Sequence, residues 1–349
     1  MKFFGIVMVF AIHSNRSGNY NYFFQAITLQ LFFFCSGMFC RKGLSLKFFD
    51  FVWQGLRKIM VPYFIFAVSS GVLQICFVEN APGFAGMLIR SMLGIRNHLH
   101  VGTLWFLPAL FCMSVFFYIA RAAGEKFGRD EKQRNLIFYL AIAIIYAAGI
   151  ACQCVLRQIV INGANDWHLP WNVDLGALFL PWYFFGYLFF PWFSKFEYTA
   201  SSRRGKFWFG IAGVVALAVT AWSLIFPQYY ETAYLALKQL DTVSFCITYW
   251  LLLPVPVFAG MLIIMKHLNR LTFLAKVGQC TLYFCCLEAI FVLIITLVHR
   301  FTGLVVPGCP IGEAPANGMP TGVFFACFEV LFMYFLLVPP AKKIFKKIM

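Results

Sequence analysis

The sequence predicts an all-α polytopic membrane protein, with about ten transmembrane helices and both termini on the cytoplasmic side. Three observations carry that prediction. Of the 349 residues, 62% are hydrophobic and only 12% charged, with a mean hydropathy of +0.79; a soluble domain carries roughly 25% charged residues. The apolar residues fall in continuous runs near the roughly 20 residues that cross a hydrocarbon core about 30 Å thick. They do not alternate as barrel strands require. Finally, the basic residues divide unequally between the two sides that an alternating path creates. Together these exclude a soluble globular enzyme, a disordered chain and a coiled coil.

The spans are expected at about 2–14, 22–40, 59–78, 104–120, 136–155, 173–193, 207–226, 242–265, 280–298 and 321–338. The first, Phe3 to Ile12 behind Lys2, has the length of a signal-peptide core. His13-Ser14-Asn15-Arg16 stands where a small-residue cleavage site belongs, so the segment is expected to be retained. The second is rich in Phe and carries Ser36-Gly37 near its end. The third follows Arg57-Lys58 and carries Pro62 where a helix's first turn tolerates it. Trp105 opens the fourth, and Cys285-Cys286 lies within the ninth. The others are plain apolar runs. No repeat, linker or soluble extension interrupts them, so residues 1–349 read as one membrane domain.

With the N-terminus inside, 22 of the 28 Lys and Arg residues fall on inner segments. The outer six are Arg16, Arg90, Arg96, Arg157, Lys238 and Arg300. The net charge of +15 is then a property of the inner face. It favours anionic lipid heads and anionic cytosolic ligands, not nucleic acid. The 12 cysteines lie mostly in apolar runs, where they act as small hydrophobes. No paired CxxC has zinc spacing, and no metal is expected.

Ionisable groups inside a bilayer cost on the order of 3 kcal/mol and mark function or a buried pair. His13 lies about 16 Å above the inner interface at 1.5 Å per residue, and Glu288 and Glu329 each lie eight residues into their spans. A histidine and a carboxylate at one depth make a general base. Glu329 and, as readily, Glu288 also read as buried hydrogen-bond partners of a neighbouring helix, and His13 as a packed or interfacial histidine. The first inner loop holds Arg41, Lys42, Lys47, Arg57 and Lys58. Its charges set topology and meet lipid heads, or they bind a phosphate-bearing ligand at the start of the third helix. At the outer rim, His98, His100 and Trp105, then Asp166, His168 and Asp174 among Trp167 and Trp171, fit an aromatic belt or a carbohydrate-facing surface. The HxH pair lacks a third metal ligand.

The run from Lys2 to His13-Ser14 resembles the first helix of the acyltransferase-3 family of integral membrane acyltransferases. Leu31 to Phe39 with Ser36-Gly37, Arg57-Lys58 through Pro62-Tyr63, Leu104 to Pro108, and Gly278 to Tyr283 resemble its later markers, in order along nearly the whole chain. Two features depart from the family pattern. The charged residues usual before the first helix are absent ahead of Met1, which points to a start upstream. Glu288 stands where the family often has a histidine.

The resemblance implies O-acyl transfer, usually acetyl, in the cell membrane. The donor would be a cytosolic acyl-CoA, used as substrate with no bound cofactor. The acceptor would be a hydroxyl of a surface polysaccharide or its lipid-linked precursor. On that reading His13 is the base or transient acyl carrier, with Glu288 as its catalytic partner. Ser14, Asn15, Arg16 and Trp105 bind substrate, and Arg41, Arg57 and Lys58 hold the CoA phosphates. A proton-coupled secondary transporter, or a protein that handles glycolipids without making bonds, is the alternative.

Overall fold

The computed structural model describes residues 1–13, 20–77, 83–96, 103–161, 168–195, 203–267, 272–302 and 319–348. Eighteen α-helices run through them: α1 (Lys2–His13), α2 (Asn21–Met38), α3 (Arg41–Leu44), α4 (Phe48–Gly55), α5 (Val61–Phe77), α6 (Phe84–Leu93), α7 (Phe106–Phe127), α8 (Glu131–Ile161), α9 (Val173–Leu178), α10 (Leu180–Lys195), α11 (Arg203–Ile225), α12 (Gln228–Leu240), α13 (Thr242–Ile247), α14 (Pro254–His267), α15 (Thr272–Gly278), α16 (Thr281–Thr302), α17 (Met319–Leu336) and α18 (Val338–Ile348). No strand occurs among the described residues.

Four of these helical stretches are long and apolar enough to cross a membrane: Phe48–Cys76, Phe106–Phe127, Glu131–Gln158 and Thr242–Ile264. The number is six if two bent pairs each count as one span: Pro170–Leu178 with Leu180–Phe190, bent by 58°, and Ile211–Ile225 with Gln228–Leu240, bent by 90°. The ten expected segments are all largely helical, but several fall short on length or apolarity. Twelve-residue α1 reaches only about 18 Å. Asn21, Gln25, Thr28 and Gln30 dilute the hydropathy of α2.

Helix α2 forms the centre. Most of its residues are buried, and it packs against α1, α10, α12 and α14. Phe33 stacks between Phe106 (4.9 Å) and Phe179 (5.5 Å). The α2–α10 crossing is closest at two glycines. A Cβ on Gly37 would overlap the Tyr183 carbonyl, and one on Gly186 the Phe34 carbonyl. Small residues let membrane helices approach in this way. Exposed Leu136, Leu140 and Ile144 on α8, with Val214, Val215 and Ile225 on α11, form apolar outer faces suited to lipid.

Two π-helical turns precede prolines. Leu56–Met60 joins α4 to α5 two residues before Pro62, and Thr248–Leu252 ends just before Pro254. Proline lacks an N–H and clashes with the carbonyl four residues back, and a widened turn relieves that clash. The carbonyl orphaned by Pro254 is that of Trp250, and Trp182 Nε1 donates to it at 2.8 Å. The expected helix start at Arg57-Lys58 is corrected here. Both residues lie inside the continuous helix Phe48–Cys76, so no ring of free helix N–H groups stands beside them.

Candidate active site

His13 is the last described residue of α1. Its Nδ1 lies 2.5 Å from Glu288 Oε1 on α16. An ionised carboxylate only accepts hydrogen bonds, so Nδ1–H donates and Nε2 keeps the basic lone pair. Glu288 is 5% exposed. Its second oxygen, Oε2, accepts a short hydrogen bond from the Thr103 hydroxyl, which also lies 3.1 Å from the Cys285 carbonyl. Both oxygens of the buried carboxylate are thus held, as a charge away from water requires. The order Thr103–Glu288–His13 fixes the imidazole's tautomer and orientation.

His13 opens onto a cavity of about 120 Å³, with its side chain 35% exposed. Arg96, Thr103, Gln25 and Thr28 give the cavity polar points, while Trp105 and Trp250 are among its aromatic walls. One water needs roughly 10–15 Å³, so the space admits a small organic group. An apolar pocket with a few convergent polar groups is the usual form of a small-molecule site.

The family model described as an acyltransferase domain, Acyl_transf_3, matches residues 1–338. The chain belongs to the acyltransferase-3 family. It is therefore a membrane acyltransferase. No curated protein and no solved structure matches it.

In this acyltransferase the histidine and glutamate singled out by depth meet each other from 275 residues apart. Glu329 is buried on α17 and does not line the cavity. Trp105 does line it, but as a wall that is only 7% exposed, with the Arg96 guanidinium 4.8 Å from its ring centroid. Arg41 lies over Tyr187 at 4.7 Å and donates to the Tyr187 carbonyl at 3.4 Å, while Arg57 and Lys58 are exposed. Ser14, Asn15, Arg16, His98, His100, Asp166 and Trp167 lie outside the described residues.

His168 and Asp174 meet at 2.7 Å, away from the cavity. Asp174 is fully buried and also accepts from Gln153 Nε2 (2.7 Å) and the Leu169 N–H (3.0 Å). This ties down a left-handed pair, Trp171 (φ 58°) and Asn172 (φ 51°). Asn tolerates that conformation and Trp resists it. Sequence reasoning passed over Arg96, Thr103, Gln25, Thr28, Trp250 and Asn172 as site residues. In the sequence Arg96 is one of six outer cations, and Thr103 is part of the outer-rim segment that runs to Pro108.

Proposed function

We propose that this acyltransferase moves an acyl group, acetyl in the first instance, from cytosolic acyl-CoA to a hydroxyl of a cell-surface polysaccharide or its lipid-linked precursor. The observation that carries this reading is the Thr103–Glu288–His13 chain opening onto the cavity. On this reading His13 Nε2 takes the proton of the acceptor hydroxyl. The hydroxyl oxygen bonds to the thioester carbonyl carbon, and the carbonyl π electrons move onto its oxygen. Collapse of that tetrahedral species re-forms C=O and breaks the C–S bond. The leaving thiolate takes the proton from the His13 imidazolium, leaving an ester and a free thiol. Glu288 holds the imidazole and balances its transient charge.

On a ten-helix path with both ends inside, the basic first inner segment lies on the donor side. Arg57 and Lys58, exposed on the helix Phe48–Cys76, meet the donor's phosphates, while Arg41 is held against Tyr187 and serves stability. The acceptor reaches the other side of the cavity.

The test is mass spectrometry of surface glycans and lipid-linked sugars from cells with and without the protein. The reading predicts acyl esters, each adding the mass of one acetyl group, only where the protein is present. Identical glycan spectra from the two strains would refute it.

A further inference from the structure

We propose that Arg96 is the oxyanion-stabilising cation of the reaction, and that Asn172 is the residue that positions it. The inference rests on the acyl-transfer reading above and adds to it a residue for the charge that develops in the transition state. Among the described residues lining the cavity, Arg96 is the basic residue other than His13. Its guanidinium lies over the Trp105 ring, 4.8 Å from the centroid, a contact that limits its freedom to reach solvent.

Charge balance explains why a cation beside a catalytic histidine is useful. At rest Glu288 carries −1, Arg96 +1, and His13 is neutral. In the tetrahedral species His13 becomes +1 and the former carbonyl oxygen −1. The four charges sum to zero before and during the reaction. Without Arg96 the site would hold a net negative charge just as the oxyanion forms. Preorganised positive charge aimed at that oxygen is usually the largest single contribution to acyl transfer.

Arg96 lies outside the helix, three residues past the end of α6, so something must hold it. Asn172 does this from another element. Its Oδ1 accepts from the Arg96 backbone N–H at 2.9 Å, and its Nδ2 lies 2.6 Å from the Gly94 carbonyl and 3.3 Å from that of Trp105. One fully buried side chain therefore joins the backbone of Arg96 to that of the ring on which Arg96 lies. Trp171 adds a second tie through its Nε1–H to the Met92 carbonyl at 2.8 Å. Strained left-handed residues held by such bonds are found where a site is pre-arranged. Here the strain at Trp171–Asn172 is locked by Asp174.

The experiment uses the full chain in lipid nanodiscs, radiolabelled acetyl-CoA, and the lipid-linked sugars extracted from the native membrane as acceptor. Arg96→Gln is expected to lower kcat about 10²–10³-fold, with KM for each substrate within about threefold. Arg96→Lys should retain an intermediate rate, and added methylguanidinium should raise the rate of Arg96→Ala at least severalfold. Asn172→Gly keeps the left-handed backbone but deletes all three hydrogen bonds, and should lower kcat in the same direction by a smaller factor. A wild-type kcat in Arg96→Gln would overturn the inference, as would a loss lying wholly in acceptor KM. If His13→Ala keeps wild-type activity as well, the acyl-transfer chemistry itself is wrong. If only the His13 variant is inactive, the assignment of Arg96 fails alone.

Discussion

Replacing Glu288 by Gln keeps the side chain's shape and removes its charge. The amide can still accept from His13 Nδ1–H through its oxygen, while its NH2 group faces the Thr103 hydroxyl. What is lost is the attraction between a carboxylate and the imidazolium formed as His13 takes a proton across the 2.5 Å contact. A hydrogen bond to a charged group is worth about 1.5–3 kcal/mol. Two unit charges 4 Å apart at an effective dielectric of 20 attract by about 4 kcal/mol. These figures describe one contact from two directions and are not added, so the loss falls at about 2–4 kcal/mol. At about 1.4 kcal/mol per decade, kcat should drop roughly 30- to 1000-fold. Glu288 lies behind His13 and does not line the cavity, so substrate binding should be spared. The variant should then lose kcat and kcat/KM equally, the mark of an interaction made only in the transition state. Initial rates of thiol release from acetyl-CoA, at several acceptor concentrations and with protein level matched, give both constants. A Glu288→Gln enzyme within twofold of wild type in kcat would refute the role of the pair. So would a raised KM with kcat unchanged.

Thr103→Val leaves Glu288 Oε2 buried without its donor. It should lower kcat at least tenfold and reduce thermal stability, with Thr103→Ser recovering most of both. Gly186→Ala drives a methyl into the Phe34 carbonyl. It should cost about 1–3 kcal/mol or more, seen as a lower melting temperature in detergent, whereas Gly83→Ala, with open space around it, should leave melting unchanged. The double variant Arg57→Gln/Lys58→Gln should raise the KM for acetyl-CoA about tenfold, more at low than at high salt. Arg41→Ala, which strips the cover from Tyr187, should instead lower stability by about 0.5–2 kcal/mol and leave donor KM within twofold.

Much of the fold was legible because apolar runs near 20 residues impose helices whatever their neighbours do. Their number of crossings was less so. Length, bends and internal polar residues decide that, as the 58° bend between α9 and α10 shows. The π turns before Pro62 and Pro254 were readable in principle, since each proline orphans a carbonyl four residues back. Which turn absorbs the defect depends on packing, and for Trp250 on the indole of Trp182. His13 and Glu288 were visible because a titratable side chain at membrane depth is costly and needs a partner. Thr103, Arg96 and Asn172 were not visible. A threonine or asparagine in a polar connection is ordinary, and their roles arise only when α7, α9 and α16 bring them together. Trp105 was found for its type, but its partner on the ring is Arg96, which a sequence cannot pair with it.

The central claim is that His13, oriented by Glu288, takes the acceptor's proton. It is tested most directly by single-turnover acetyl transfer with His13→Ala purified in nanodiscs, its acetyl-CoA affinity and melting temperature measured on the same sample. The account predicts a transfer rate lower by about 10²–10⁴-fold, with donor affinity and melting near wild type. Transfer at the wild-type rate by that folded, donor-binding variant would contradict it.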